Sequence, residues 1–162
     1  MITANAAAAA EADSNVLAEF TIDSYTEFLR VPVTISGKTY HFFIDTGANQ
    51  SSFDLQMQSV LGKPSGREEL STVHRTVSLA VYNAPPATIA DIPLPRLFVT
   101  CIDHSINRGL RTKIHGYLGM DAINGLIVRA DFERRKLSFL RSVPKNAGVR
   151  IDLDRRRLCP TV

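Results

Sequence analysis

The apolar run His41-Phe42-Phe43-Ile44 ends on an acid, Asp45, and continues Thr46-Gly47-Ala48. A carboxylate at the end of a buried strand is costly unless it is bonded, paired or protonated. Asp45 therefore marks either the point where the strand surfaces into solvent or a carboxyl group placed for acid–base work. Few other residues offer chemistry. Cys101-Ile102-Asp103-His104 has a Cys-x-x-His spacing, but no second ligand pair follows it, so neither a metal nor a cofactor is expected. Cys101 and Cys159 permit one disulfide without requiring it, and free buried thiols are the simpler reading. His41 is expected on the exposed side of its strand, His74 within a hairpin, and His115 in the loop before Tyr117-Leu118-Gly119.

The elements that must position Asp45 are mostly strands. Val31, Val33 and Ile35 alternate with polar or proline positions, Ser36-Gly37-Lys38 supplies a turn, and Tyr40, Phe42 and Ile44 resume the alternation. This predicts a hairpin whose second arm delivers Asp45, with Pro32 at an edge or strand opening. Glu19 to Ile22 reads as a short strand. Ser51-Ser52 reads as a helix N-cap before a helix over 53–61 that Gly62 stops. Lys63 to Gly66 reads as loop, 72–82 as one or two strands, and Leu97 to Ile102 as a buried strand. Residues 103–115 are polar loop, 121–124 a short helix closed by Gly125, and 126–131 with 137–140 a last hairpin over Glu133-Arg134-Arg135.

The chain has 162 residues, of which 44% are hydrophobic and 22% charged, enough for a packed core. The net charge of +3 is too small to point to nucleic acid, and the runs Arg134-Arg135-Lys136 and Arg155-Arg156-Arg157 each lie beside acids. No apolar stretch is long enough to span a bilayer. Residues 1–16 form an alanine-rich lead without the basic start of a signal peptide, and the compartment stays open between cytoplasm and cell envelope. Residues 17–142 are expected to form one domain. Residues 143–162 read as an extension, the start of a segment that continues further.

In chain order, a hairpin ends in apolar-apolar-Asp45-Thr46-Gly47-Ala48, strand-rich sequence follows, and Tyr117-Leu118-Gly119 precedes the Gly119-Met120-Asp121 turn and a DFERRKLSF hairpin. Together these motifs resemble the retropepsin-like aspartic proteases, particularly their bacterial single-domain members, over roughly residues 29–141. The resemblance implies an all-β fold, a small closed or partly open β-barrel with one or two short helices. It also implies an aspartic endopeptidase that acts as a homodimer on peptide or protein substrates. Each subunit would give one Asp45 to a shared catalytic pair holding one proton between its carboxyl groups. Thr46 would hydrogen-bond across the dimer, Gly47 would let backbone approach closely, and Leu118 and Gly119 would support the active-site loop. Alanine at 48 cannot donate a hydrogen bond that would stabilise the charged carboxylates, so a mildly acidic to neutral optimum is expected.

Two departures stand out. Viral members of the family usually carry an acid where Asn49 stands and an arginine where Met120 stands; both are absent here, which leaves no stranded charge. The covering hairpin, or flap, should fall at 69–81 with Val73, His74 and Arg75 at its tip, but this stretch has no glycine. A proteolytically weak dimer serving as a peptide-binding or structural module is the alternative reading.

Overall fold

The computed structural model describes residues 14–23, 29–71, 76–104, 113–145, 153–154 and 159–160. In chain order the elements are β1 (Val16–Thr21), β2 (Arg30–Ile35), β3 (Lys38–Ile44), β4 (Ser52–Asp54), a 3₁₀ turn (Leu55–Met57), α1 (Gln58–Leu61), β5 (Gly66–Ser71), β6 (Thr76–Asn83), β7 (Ala87–Ile89) and β8 (Ile92–Pro93). They continue with β9 (Phe98–Ile102), β10 (Gly116–Leu118), α2 (Met120–Ile123), β11 (Ile127–Asp131), β12 (Lys136–Leu140), β13 (Leu153–Asp154) and β14 (Cys159–Pro160). The chain is mostly β, as expected, and divides into two compact units: Thr26–Asn124, and Met1–Tyr25 with Gly125–Val162.

The unit Thr26–Asn124 is built on one nine-stranded sheet in the order β5-β6-β9-β4-β10-β3-β2-β7-β8. The β2–β3 hairpin forms where the alternation predicts it. Its two turn residues, Ser36 and Gly37, both have positive φ (50° and 76°), the twist that suits a tight antiparallel connection. Pro32 faces His41 in this hairpin, while β2 pairs with β7 only through Thr34 and Ile35, so the missing N–H of proline breaks no ladder. Val31, Val33, Ile35, Phe42, Phe53, Val99 and Leu118 are buried, with the Phe42 and Phe53 rings 4.7 Å apart. Each large apolar side chain buried in this way contributes about 1.5–3 kcal/mol.

The sheet does not close into a barrel, which corrects the closed form of the expectation. Its two ends are protected instead. β8 is two residues long and ends at Pro93, which has no N–H to offer a further strand. β5 carries Arg67, Glu68 and Glu69 along its free edge.

The helix expected over 53–61 is also corrected. Ser52 to Asp54 is a strand, pairing with β10 on one side and β9 on the other. Helical structure begins only at the 3₁₀ turn, where the Asp54 carboxylate accepts the Gln56 N–H at 3.1 Å. Gly62 ends α1 at φ 76°, as expected. β5 starts at Gly66, within a stretch read as loop, because β6 pairs with it over its whole length.

The unit formed by the two chain ends has a three-stranded sheet, β1-β12-β11, and a separate pair, β13–β14. The predicted final hairpin is β11–β12, closed by Asp131, which accepts the Arg134 N–H at 2.8 Å and its guanidinium at 2.9 Å. β1 runs longer than expected because it pairs with β12, where Lys136 meets Glu19 at 2.7 Å and the Phe20 ring packs edge-on against Phe139.

Candidate active site

β10 lies between β3 and β4, parallel to the first and antiparallel to the second. The chain therefore leaves β3 on one side of β10 and re-enters the sheet as β4 on the other, so that residues 45–51 arch over the end of β10. Asp45 is the first residue of that arch. Its N–H donates to the Leu118 carbonyl at 2.9 Å, continuing the β3–β10 ladder by one step. Its Oδ1 accepts the Gly47 N–H at 2.9 Å, and its carbonyl accepts the Ala48 N–H at 3.2 Å. The carboxyl group is thus held from below by backbone while remaining half-exposed, and Thr46 and Gly47 are exposed beside it. A side chain on Gly47 would place its Cβ 3.2 Å from Asp45 Oδ1.

Gly119 meets the underside of the arch. A Cβ there would lie 2.7 Å from the Gln50 carbonyl carbon, 2.8 Å from its oxygen and 2.9 Å from the Ala48 oxygen, all backbone atoms that cannot swing aside. The close approach lets Met120 N–H reach the Ala48 carbonyl at 2.8 Å and Asp121 N–H reach the Asn49 carbonyl at 3.1 Å. Leu118 is fully buried beneath. Ser51, also fully buried, completes the brace: its Oγ accepts the Gly119 N–H at 3.0 Å and donates to Asp121 Oδ1 at 2.7 Å. Sequence reasoning read Ser51 as a helix cap and gave Asp121 no role. The departure at Asn49 and Met120 now has a physical counterpart, since backbone bonds and the Ser51–Asp121 contact join the two segments without an ion pair.

A second group shares the sheet face of Asp45. Tyr117 pairs with Phe43 on β3 and with Ser52 on β4, and its ring lies 5.9 Å from Phe43 and 4.6 Å from His104. Burial raises the Tyr117 phenol above its ordinary pKa, and the negative charge of Asp45 raises it further. His104 Nε2 lies 3.1 Å from Ser52 Oγ, and the His104 N–H donates to Asp54 Oδ2 at 3.1 Å. Tyr117, Ser52 and His104 carried no function in the sequence, because only strand register places them on the face of Asp45.

His41 and His115 form a further pair. The His115 N–H donates to the His41 carbonyl at 2.7 Å, and His115 Nδ1 accepts the His41 N–H at 3.1 Å. His41 is half-buried, with its Nδ1 out of reach of solvent, where exposure was expected. The Cys-x-x-His residues do not converge: Cys101 keeps a free, buried thiol directed to the Asp54 carbonyl, while His104 turns to Ser52. The β5–β6 hairpin covers the chain segment where a flap was expected, and its tip, Val73, His74 and Arg75, lies outside the described residues.

The Asp-Thr-Gly loop thus stands at the end of a β-strand and is braced from below by a glycine that follows a second strand. The profile of the aspartyl protease family matches residues 31–122, from β2 to α2, and the chain belongs to that family. Among curated proteins, none matches the chain.

Proposed function

We propose that this protein is an aspartic endopeptidase in which Asp45 of one subunit and Asp45 of a second copy form the catalytic pair of a homodimer. The observation that carries the reading is the Asp45 carboxyl group itself. Its Oδ1 accepts the Gly47 N–H and its backbone is tied to the Leu118 carbonyl, at the start of an arch that Gly119 and Ser51 brace, yet the residue stays half-exposed. A lone carboxylate so placed has half of an acid–base apparatus, and a symmetric partner supplies the other half.

In the pair, two carboxyl groups hold one proton, because adjacent like charges resist joint ionisation. The ionised carboxylate removes a proton from water as the water oxygen attacks the scissile carbonyl carbon. The protonated carboxyl group donates to the carbonyl oxygen. When the tetrahedral intermediate collapses, the carboxyl group that took the water proton passes it to the amide nitrogen and the C–N bond breaks. The other carboxylate takes back a proton from a gem-diol hydroxyl as the carbonyl re-forms, so the pair again holds one proton. Thr46 serves as a cross-subunit hydrogen-bonding residue, Ala48, Leu118 and Gly119 as loop support, and the β5–β6 hairpin, with Val73, His74 and Arg75 at its tip, as the cover over a bound peptide.

The test is incubation of the purified chain with a diverse peptide mixture from mildly acidic to neutral pH, with new termini read by mass spectrometry. Asp45→Asn runs in parallel. The substituted amide still accepts the Gly47 N–H, so the loop is retained while cleavage falls by at least about a thousandfold. Equal cleavage by the two proteins overturns the assignment of Asp45. No cleavage by a folded wild-type dimer overturns turnover and leaves a peptide-binding module.

A further inference from the structure

Tyr117 and His104 have no part in the dyad chemistry, yet they stand on the sheet face that carries Asp45. Tyr117 lies one residue before Leu118, whose carbonyl receives the Asp45 N–H. Its ring is enclosed between Phe43, at 5.9 Å, and His104, at 4.6 Å. His104 is held at two points, by its ring nitrogen at Ser52 Oγ and by its backbone N–H at Asp54 Oδ2, each at 3.1 Å. Ser52 and Asp54 belong to β4, the strand into which the Asp45 arch descends, so the same strand fixes both the arch and the histidine.

We propose that His104 is a positioning residue that, anchored to β4, fixes the Tyr117 ring so that its hydroxyl stands beside the Asp45 carboxyl group as a hydrogen-bond donor to the backbone of a bound peptide. A phenol is a donor as long as it keeps its proton, and here burial and the Asp45 charge both oppose its ionisation. The His104 ring stays neutral toward the acidic side of its ordinary range, because burial outweighs the opposing pull of Asp54, Ser52 and Asp103. The contact of this ring with Tyr117 is tilted, with 59° between the two planes. The peptide-backbone role rests on the protease reading; the coupling of His104, Tyr117 and Asp45 does not.

Two measurements separate these. With ring-labelled tyrosine in the full chain, the Tyr117 resonance is assigned by Tyr117→Phe and its ionisation followed by NMR. Asp45→Asn is expected to lower the Tyr117 pKa by removing the neighbouring charge. In a His104→Ala background that response is lost, and in His104→Phe, which keeps a ring against Tyr117, it returns. A Tyr117 pKa indifferent to Asp45→Asn overturns the proposal, and so does a full response in folded His104→Ala. In peptide cleavage, Tyr117→Phe and His104→Ala are each expected to raise KM by about five- to tenfold, the worth of one neutral hydrogen bond, with kcat changed much less. A fall confined to kcat overturns the substrate-binding role. If the wild-type protein cleaves nothing, the protease reading fails, and the NMR experiment still decides the coupling.

Discussion

Replacing Gly119 by alanine tests the packing on which the site rests. The backbone of Gly119 has φ −81° and ψ −172°, values any residue adopts, so the substitution carries no conformational strain of its own. Its cost is steric. The new methyl would meet backbone atoms of Gln50 and Ala48 at 2.7–2.9 Å, well inside ordinary contact, and the arch must lift away from β10 to admit it. Overpacking of this kind costs about 1–3 kcal/mol. The lift also stretches the bonds from Gly119 to Ser51 and from Met120 to Ala48, each worth about 1 kcal/mol. Allowing for incomplete additivity, the loss is about 3 kcal/mol. For a chain of this size that corresponds to a fall in Tm of roughly 6–12 °C. Gly66→Ala is the control, since a Cβ there meets nothing within 4 Å, and its change should stay within about 0.5 kcal/mol. Differential scanning calorimetry gives both values, and peptide cleavage reports the loop. If Gly119→Ala matches Gly66→Ala in stability and cleaves at the wild-type rate, the arch does not depend on the close approach.

Ser51→Ala removes a buried hydroxyl that serves Gly119 and Asp121, leaving the Gly119 N–H without its acceptor, and should cost about 1–3 kcal/mol in chemical denaturation. Ala48→Ser introduces a donor beside the carboxyl group, and the acid limb of the pH–rate profile should move to lower pH; an unmoved limb refutes that account of alanine at 48. His41, His104 and His115 all lie below their ordinary pKa of 6.5, chiefly because burial disfavours their charged forms. Above pH 6.5 both folded and unfolded forms are neutral and the stability is complete. As pH falls below 6.5 the unfolded chain gains protons first, so Tm should decline from there down to the folded pKa values, and His115→Gln should flatten part of that decline.

The sequence by itself determined what depends on neighbours along the chain. Alternation from Val31 to Ile44 around Ser36-Gly37 specified the hairpin, Asp45 followed because that strand must end somewhere, and Gly62 and Gly125 marked the stops they provide. The last hairpin was an equally local reading, whereas the pairing of Cys101 was left open until the structure showed its thiol free and buried. What only the tertiary structure decided is which strand lies beside which. Phe53 and Asp54 looked helical because Ser51-Ser52 reads as a helix cap, but a strand over Ser52 to Asp54 gains partners in β9 and β10, more than forty residues away, and those bonds outweigh the local preference. The same insertion of β10 turned Ser51 from a cap into the brace beneath Asp45 and set Tyr117 on the face of the acid. Asp-Thr-Gly marks in the sequence an acid at a strand end; the bonds that brace its loop come from residues whose roles exist only once distant strands have paired.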